Sequence, residues 1–300
     1  MTKIKLTNWK LCAPLALPRA GCAVGVTGGK LLVAGGTYWV GEKKFWDARV
    51  DAYDAATDRW LSLASLPKPW GDAAAVAVGD AFYILGGGAE GVAQKDVHCY
   101  ESGAWSVVAR MALPEPRRSS AAAVLDGSIY LLGGLTGTGS DFASATNSLW
   151  SARPGEAWKV RAPMPGPARF TASVGAVGGR LLVVGGCTPE GGKVRNLDDI
   201  LAYDPRRDQW TTLGRLPFAL RGACGLVIGD QLAVIGGYTD KFLAQIISVD
   251  PQSGQTQNVG ELPTGLADTR FHILGREVIG VTGENGIKMR YPDTIAASLG

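Results

Sequence analysis

A carboxylate and a guanidinium group lie six residues apart near the end of the chain, in the segment Val281–Arg290. Glu284 directly follows Gly283, and Arg290 closes the segment. A carboxylate within hydrogen-bond reach of a substrate can take up a proton, and an arginine can hold an anion or stabilise developing charge. The pair therefore has the chemistry for acid–base work on an anionic molecule. An ion pair that only joins two segments of the fold is the alternative.

Basic residues recur at a second position, nine residues before a short turn signal that contains glycine or aspartate. This position holds Arg19, Trp70, Arg117 and Arg169; the next position holds Arg118 and Arg221, and Arg270 follows a few residues later in the sixth copy. Guanidinium groups that converge from several directions make an anion site, because arginine offers a bidentate fork to carboxylate or phosphate. We predict that these residues bind the substrate. The alternative is that each arginine ties its own loop to a neighbouring unit.

A third candidate is the aromatic segment Thr37–Arg49, which contains Trp39, Trp46 and Arg49. Exposed aromatic rings can stack on sugar rings, and Arg49 could add a hydrogen-bond donor. We assign these three residues to substrate binding. Packing of the tryptophans against the segment itself is the alternative.

Metal and cofactor chemistry find little support in the chain. The two histidines, His98 and His272, belong to different predicted strands, so they are not expected to share a metal. The five cysteines lack CxxC spacing, and we expect them to be reduced thiols of a cytoplasmic protein. No phosphate-binding loop, dinucleotide fingerprint or Gly-x-Ser-x-Gly turn is present. The prediction is no metal and no cofactor.

An internal repeat must position these residues. An apolar run followed by two glycines recurs at intervals of 46 to 52 residues, with a degenerate sixth copy around Gly283. A tight-turn signal precedes each glycine pair by seven residues, and a tyrosine, a tryptophan and a Leu-Pro pair follow in the fullest copies, as at Tyr53, Trp60 and Leu66. Each unit is predicted to form four short strands, which is the blade of a β-propeller.

The two ends of the chain complete each other. The sixth copy has no tryptophan strand, whereas Trp9 precedes Leu17-Pro18 at the front of the chain. The first strand is therefore predicted to pair with the last blade, which removes the edges that a linear array would expose. We predict one all-β domain over residues 1–300, a six-bladed propeller. Its symmetry should bring residues as distant as Arg19 and Glu284 to one opening of the central channel.

The repeat resembles kelch repeats over the whole chain. The pattern Gly-Glu-x5-Arg at Glu284 and Arg290 also resembles the segment that carries the catalytic Glu and Arg of bacterial N-acetylneuraminate epimerases (sialic acid mutarotases), which are six-bladed kelch propellers. This resemblance implies that Glu284 is the acid/base and Arg290 the substrate-binding cation. It also implies anomer exchange of an acidic sugar such as N-acetylneuraminate, with no cofactor required.

The composition and charge of the chain limit the kinds of partner that we expect. The 300 residues carry a formal charge of +3, which gives no argument for nucleic acid or a membrane surface. No apolar stretch approaches a membrane span, and the first residues lack the apolar core of a secretory signal. We expect a cytoplasmic protein whose partner is an acidic small-molecule sugar or another anionic ligand. A non-catalytic kelch module that binds an anionic peptide, protein or carbohydrate at the arginine-lined mouth remains the alternative.

Overall fold

Six antiparallel sheets surround a central channel in the computed structural model, which describes residues 4–300. The innermost strands of consecutive sheets contact one another around a closed ring. This arrangement confirms the predicted all-β, six-bladed propeller. The helices of residues 4–300 are two 3-10 turns, Ala109–Met111 and Phe142–Ser144. Neither these turns nor any other segment of residues 4–300 forms a helix that is long and apolar enough to cross a bilayer.

The strands of each blade are given from the channel outward. Blade 1 comprises Ala23–Thr27, Lys30–Ala34, Val50–Asp54 and Arg59–Leu63. Blade 2 comprises Ala74–Val78, Ala81–Leu85, Val97–Glu101 and Ala104–Val107. Blade 3 comprises Ala121–Leu125, Ser128–Leu132, Leu149–Ala152 and Lys159–Arg161. Blade 4 comprises Ser173–Val177, Arg180–Val184, Lys193–Asp204 and Gln209–Leu220. Blade 5 comprises Cys224–Ile228, Gln231–Ile235, Gln245–Val249 and Thr256–Glu261. Blade 6 comprises Arg270–Leu274, Glu277–Val281, Thr294–Leu299 and Leu6–Cys12.

Shorter strands extend three blades beyond this plan. Cys187–Glu190 pairs with the start of Lys193–Asp204 in blade 4. Thr37–Val40 pairs with Lys43–Trp46 above blade 1, and Glu284–Gly286 pairs with Met289–Arg290 above blade 6. The candidate chemistry at Glu284 and the aromatic segment therefore lie on two hairpins rather than on irregular loops.

The inner hairpins turn where the sequence predicts. Asp126 and Gly127 have φ angles of 50° and 72° and connect the paired residues Leu125 and Ser128 of blade 3. Both central residues have positive φ in the turns of blades 1, 3 and 4, and the first alone, Gly79, Gly229 or Gly275, in blades 2, 5 and 6. Both kinds of turn match the right-handed twist of the strands, which explains the glycine in each turn. The turn signals identified in the sequence are confirmed.

The glycine pairs form the seams between blades. A Cβ atom on Gly35 would lie 2.2 Å from the carbonyl oxygen of Trp70 in the next blade, so no larger residue fits there. The N–H of Gly36 donates a 2.7 Å hydrogen bond to that same oxygen. Equivalent bonds close all six seams: Gly36 to Trp70, Gly87 to Arg117, Gly134 to Arg169, Gly186 to Leu220, Gly237 to Leu266 and Gly283 to Arg19.

The repeated tryptophans join each blade to the preceding one. The indole N–H of Trp60 donates to the carbonyl oxygen of Ala13 at 2.8 Å, next to the outer strand of blade 6. The same contact recurs in three further blades: Trp105 to Ala64, Trp158 to Met111 and Trp210 to Ala162. The apolar core lies between neighbouring sheets, where for example Tyr83 of blade 2 packs in one cluster with Trp150 of blade 3.

The first strand closes the ring. Leu6–Cys12 pairs antiparallel with Thr294–Leu299, and Leu11 lies opposite Ile295. Trp9 packs edge-on against Phe271 with ring centroids 6.3 Å apart. The predicted completion of the last blade by the first strand is therefore confirmed.

Candidate functional site at the channel mouth

One mouth of the channel opens into two adjoining cavities. The inner cavity, of about 300 Å³, is walled by small side chains of the innermost strands and by their entry residues. The outer cavity, of about 380 Å³, lies under the two extra hairpins and includes Trp39 and Tyr238 in its wall. Lys44, Asp268, Glu284 and Arg290 line both cavities, as do Thr171 and Gly222. These shared residues mark the place where a ligand would meet charged groups.

A ring of backbone hydrogen bonds forms the rim of the inner cavity. One residue per blade, seven residues before the inner hairpin turn, has a positive φ and lines the cavity: Gly21, Asp72, Ser119, Thr171, Gly222 and Asp268. The N–H of each of the last five donates to the rim carbonyl of the preceding blade at 2.7 to 3.1 Å. The rim side chains, including two carboxylates, are thus held by the backbone around the opening.

Glu284 lies beside this rim. Its backbone N–H and carbonyl form hydrogen bonds of 2.8 and 2.9 Å with Ala267, the residue before Asp268. Its carboxylate accepts a hydrogen bond from Arg290, and its side chain keeps 27% of its surface exposed. Burial and then the nearby Asp268 raise the pKa of Glu284, against the opposing charges of Arg290 and Lys44.

Asp268 is a second carboxylate whose pKa is raised. Burial raises its pKa, and the negative charge of Asp72 adds to the increase, while Arg270, Arg290 and Arg221 oppose it. Within residues 4–300 its carboxylate makes no hydrogen bond and no ion pair. Asp268 therefore faces the cavity with its oxygens available.

The nitrogen atoms of Arg290 are all engaged. Its Nε donates to the carbonyl oxygen of Thr37 at 2.9 Å, its Nη2 donates to the Thr37 hydroxyl at 3.0 Å, and its Nη1 donates to Glu284. Arg290 thus fastens the hairpin of blade 1 to the hairpin of blade 6 and orients Glu284. Lys288 strengthens this contact through an ion pair with Glu42.

Three other cations surround the carboxylates. Arg270 lines the inner cavity, and its guanidinium forms no hydrogen bond or ion pair with the part of the chain that the structure describes. Lys44 lies 3.8 Å from Asp72, between their Nζ and Oδ2 atoms. Arg221 lines the outer cavity, lies over the ring of Tyr238 at 4.6 Å and donates to Asn196 at 2.7 Å. Arg270 is the cation most available to an anionic ligand.

Several of the arginines predicted at the mouth lie inside the blades instead. Arg19 and Arg169 are fully buried. Arg169 binds Asp199 through two hydrogen bonds of 2.6 Å, and Arg19 binds Asp51 and donates to the carbonyl of Gly35 at 3.0 Å. A buried guanidinium is stable only when it is paired, and these groups are paired within their own blades. Arg19 and Arg169 therefore have a structural role and do not bind a ligand at the mouth.

Arg117 and Trp70 occupy the equivalent position and are also buried. The Arg117 guanidinium stacks over Trp150 at 4.3 Å and donates to Ser148 at 3.0 Å. The Trp70 indole donates to the carbonyl of Gly86 at 2.7 Å. Both side chains stabilise their own blades, so the predicted role in substrate binding does not fit their positions.

The remaining predicted residues divide between the site and its surroundings. Trp39 lines the outer cavity under the ammonium group of Lys288. Arg118 donates to the carbonyls of Gly137 and Gly139 in its own blade. Two residues of the aromatic segment lie apart from both cavity walls: Trp46, which packs near Gly71, and Arg49, which is exposed and binds Asp47 at 3.0 Å.

The histidines lie in separate blades. His272 lines the inner cavity, where burial and the charge of Arg270 lower its pKa to about 4. His98 packs edge-on against Trp70 at 4.9 Å in blade 2. In residues 4–300 no group of three or more His, Cys, Asp or Glu side chains is arranged to hold a metal ion.

Sequence reasoning missed Asp72, Asp268 and Lys44. Asp72 and Asp268 occupy the rim position of the repeat, two residues after Trp70 and Leu266. A search for carboxylates at equivalent positions of the repeat would have found both. Lys44 lies in the aromatic segment, and only the folding of that segment over the mouth brings it to Asp72.

Comparison with known proteins agrees with this architecture. A model of the KLHDC2/KLHL20/DRC7 Kelch-repeats domain matches residues 72–283, more than two thirds of the chain, and a Kelch motif model matches residues 18–67. Kelch-like protein 35 of Mus musculus is 29% identical over 236 residues, which are 75% of this chain and 38% of that protein.

Bacterial relatives are shorter matches. N-acetylneuraminate epimerase of Haemophilus influenzae (strain PittEE) is 27% identical over 179 residues, covering 47% of this chain and 48% of that protein. N-acetylneuraminate epimerase of Brucella suis is 32% identical over 126 residues, which are 39% of this chain and 31% of that protein. The chain thus spans less than half the length of each of these curated relatives. The repeat, the six closed blades and the family models together show that the chain belongs to the kelch-repeat family.

Proposed function

We propose that this protein exchanges the anomers of an acidic sugar at the rim of its channel. One observation carries the proposal: Glu284, a carboxylate of raised pKa oriented by Arg290, lies beside Asp268 in a cavity edged by cations. A carboxylate of raised pKa is suited to proton transfer near neutral pH. The inner cavity, of about 300 Å³, falls at the lower end of the sizes usual for small-molecule sites.

The chemistry follows from the groups at the mouth. Arg270 binds the sugar carboxylate, because its guanidinium lines the cavity without a partner in the described chain. Glu284 takes the proton of the anomeric hydroxyl, the ring C–O bond breaks, the ring oxygen receives a proton from an acid of the site, and the sugar opens to its carbonyl form. Rotation about the bond to that carbonyl and reclosure give the other anomer. Arg290 serves this step by holding Glu284 in place.

The relatives support the choice of the first substrate. The relatives from Haemophilus influenzae and Brucella suis carry the name N-acetylneuraminate epimerase, and N-acetylneuraminate is an acidic sugar with an anomeric hydroxyl. Glucuronate and galacturonate also carry a carboxylate and a ring that opens at the anomeric carbon. A neutral sugar such as N-acetylmannosamine lacks the carboxylate and should be a poor substrate if Arg270 has the role proposed.

Exchange between anomers can be measured directly by NMR magnetisation transfer on each sugar, with and without protein. We expect the wild type to accelerate exchange of at least one sugar acid. Glu284→Gln should slow that exchange by about 100-fold or more, because positioned acid–base groups contribute about 10²–10⁴ in rate.

Glu190→Gln is the matched control. Glu190 belongs to the corresponding hairpin of blade 4 and pairs with Arg195, but both side chains are at least half exposed. This variant should keep the wild-type rate. If the wild type leaves every sugar acid at its buffer rate, the proposed activity is refuted.

A second candidate function is binding without turnover. The outer cavity places cations against aromatic rings, with Lys288 over Trp39 and Arg221 over Tyr238. Such a wall suits an anionic ligand, including an acidic peptide, that fills the mouth. Calorimetric titration with the same sugar acids distinguishes the two, since binding with no acceleration of exchange would favour this candidate.

A further inference from the structure

We propose that Asp268 is the second proton-transfer group of the site and protonates the ring oxygen while Glu284 removes the proton of the anomeric hydroxyl. This inference rests on the proposed function and deepens it. Anomer exchange needs one proton taken and one delivered, and Glu284 alone supplies only one of these two steps.

The backbone holds Asp268 in place. Its φ is +53°, and its N–H donates to the rim carbonyl of Gly222 at 2.7 Å. A Cβ atom on Gly222 would lie 3.0 Å from Oδ1 of Asp268, so the glycine leaves room for the carboxylate to lean over the rim. Ala267, the residue before Asp268, forms a hydrogen-bonded bridge with Glu284. This bridge holds the backbone of Glu284 beside that of Asp268. Both carboxylates line both cavities.

The surroundings give the two carboxylates different tasks. Burial raises the pKa of both carboxylates, but Oε1 of Glu284 accepts a hydrogen bond from Arg290, and this contact favours the ionised form of Glu284, which is the form of a base. Asp268 has no donor from residues 4–300 to stabilise its anion, and burial together with Asp72 raises its pKa, which favours the protonated form, the form of an acid. The charged groups that face this pair are Lys44, Asp72, Arg221, Arg270 and Arg290.

The proton and electron balance closes within the pair. As Glu284 takes the hydroxyl proton, the O–H electrons form the carbonyl bond and the ring C–O electrons pass to the ring oxygen. That oxygen receives the proton of Asp268. Glu284 is then protonated and Asp268 ionised. Reclosure on the other face reverses both transfers and restores the starting state, so no co-reactant is needed.

The pH–rate profile tests this division. The wild type should show a bell-shaped profile, with apparent pKa values that belong to the pair. Asp268→Asn should lower the rate by about 100-fold and remove the alkaline limb, because its amide cannot deliver a proton. Glu284→Gln should remove the acidic limb instead, and Asp268→Glu should recover part of the lost rate. Glu190→Gln should keep both limbs.

A substrate-free measurement separates this role from a structural one. Carbon-13 NMR titration of the Asp268 carboxyl should give a lower pKa in Glu284→Gln than in the wild type, since a neighbouring negative charge has been removed. An unchanged pKa would overturn the pairing. Asp268→Asn with the wild-type rate and both limbs would overturn the assignment of Asp268 and leave the proposed function intact. A wild type that accelerates no sugar acid would refute both.

Discussion

At the residue scale, two arginines that the sequence assigns to the same anion site have different environments. Arg169 is fully buried and held by Asp199, whereas Arg270 lines the cavity without a partner in the described chain. Burial of an unpaired charge costs several kcal/mol, so the fully buried Arg169 depends on Asp199 inside the fold. A guanidinium held by partners within its own blade is structural, whereas that of Arg270 is free to bind a ligand.

A paired substitution tests this distinction. Arg169→Met leaves Asp199 without its partner and should lower the free energy of unfolding by about 3–5 kcal/mol, the usual cost of breaking a buried pair. Arg215→Met removes an exposed ion pair with Asp198, whose atoms are 3.0 Å apart, and should cost only about 0–1 kcal/mol. Urea unfolding of both variants gives the comparison. Equal losses would contradict the structural role of Arg169.

At the element scale, one aspartate joins the outer strand of a blade to its neighbour. Asp208 accepts hydrogen bonds from the Tyr203 hydroxyl at 2.5 Å and from the N–H of Ala162 in blade 3 at 2.9 Å. Trp210 donates to the carbonyl of the same Ala162. Blade 1 repeats the arrangement with Asp58, which joins Tyr53 to Ala13. The seams at the outer edge thus depend on a charged acceptor and an indole donor together.

Removal of this acceptor should weaken the seam. Asp208→Ala should lower the free energy of unfolding at pH 7 by about 1–3 kcal/mol, the range for hydrogen bonds to a charged group. The Tyr203 hydroxyl holds the pKa of Asp208 below its ordinary value, so the stabilisation is present above that value and is lost as pH falls through the lowered pKa. The difference in unfolding free energy between Asp208→Ala and the wild type should therefore shrink as the pH falls.

Asp204→Ala is the control for this seam. Asp204 accepts from the N–H of Arg206 in its own turn and does not reach another blade, so its loss should cost less. Thermal unfolding across the acid range gives both comparisons. A difference in stability between Asp208→Ala and the wild type that grows as the pH falls would contradict the stabilising role of the ionised Asp208.

At the scale of the whole molecule, one strand closes the ring. Leu6–Cys12 covers the edge of Thr294–Leu299, and its Trp9 packs against Phe271. An uncovered strand edge is a template for pairing with another chain. The closure joins the first and last residues of the fold into one sheet, so the stability of every seam depends on it.

Deletion of residues 1–12 tests this closure. The shortened protein should lose more than about 3 kcal/mol of unfolding free energy, the loss typical of a large core side chain, and should self-associate through the bare edge. Trp9→Ala keeps the strand and should be destabilised without any change in its state of association. Light scattering and urea unfolding report both properties. A shortened protein that is monomeric and as stable as the full chain would show that the closure is dispensable.

The blades and the closure of the ring can be predicted from local sequence signals. Turn pairs such as Asp126 and Gly127 act through local backbone conformation, and the glycine pairs and tryptophans recur at a spacing that one blade requires. These signals depend on neighbouring residues, so they can be read without the fold. The missing tryptophan strand after the sixth copy, together with Trp9, likewise predicted how the ring closes.

Which side chains face the channel depends on the folded arrangement of the blades. The rim residues have positive φ angles, as at Asp268, and this backbone reversal breaks the alternation of sides by which a strand pattern is read. Arg19 and Arg169 therefore turn back into their blades, while Asp72 and Asp268, two residues beyond the equivalent position, line the cavity. These carboxylates and Glu284 line one cavity because blades 5, 6, 1 and 2 contact one another in that order around the ring. No local sequence pattern encodes contacts between segments so distant in the chain.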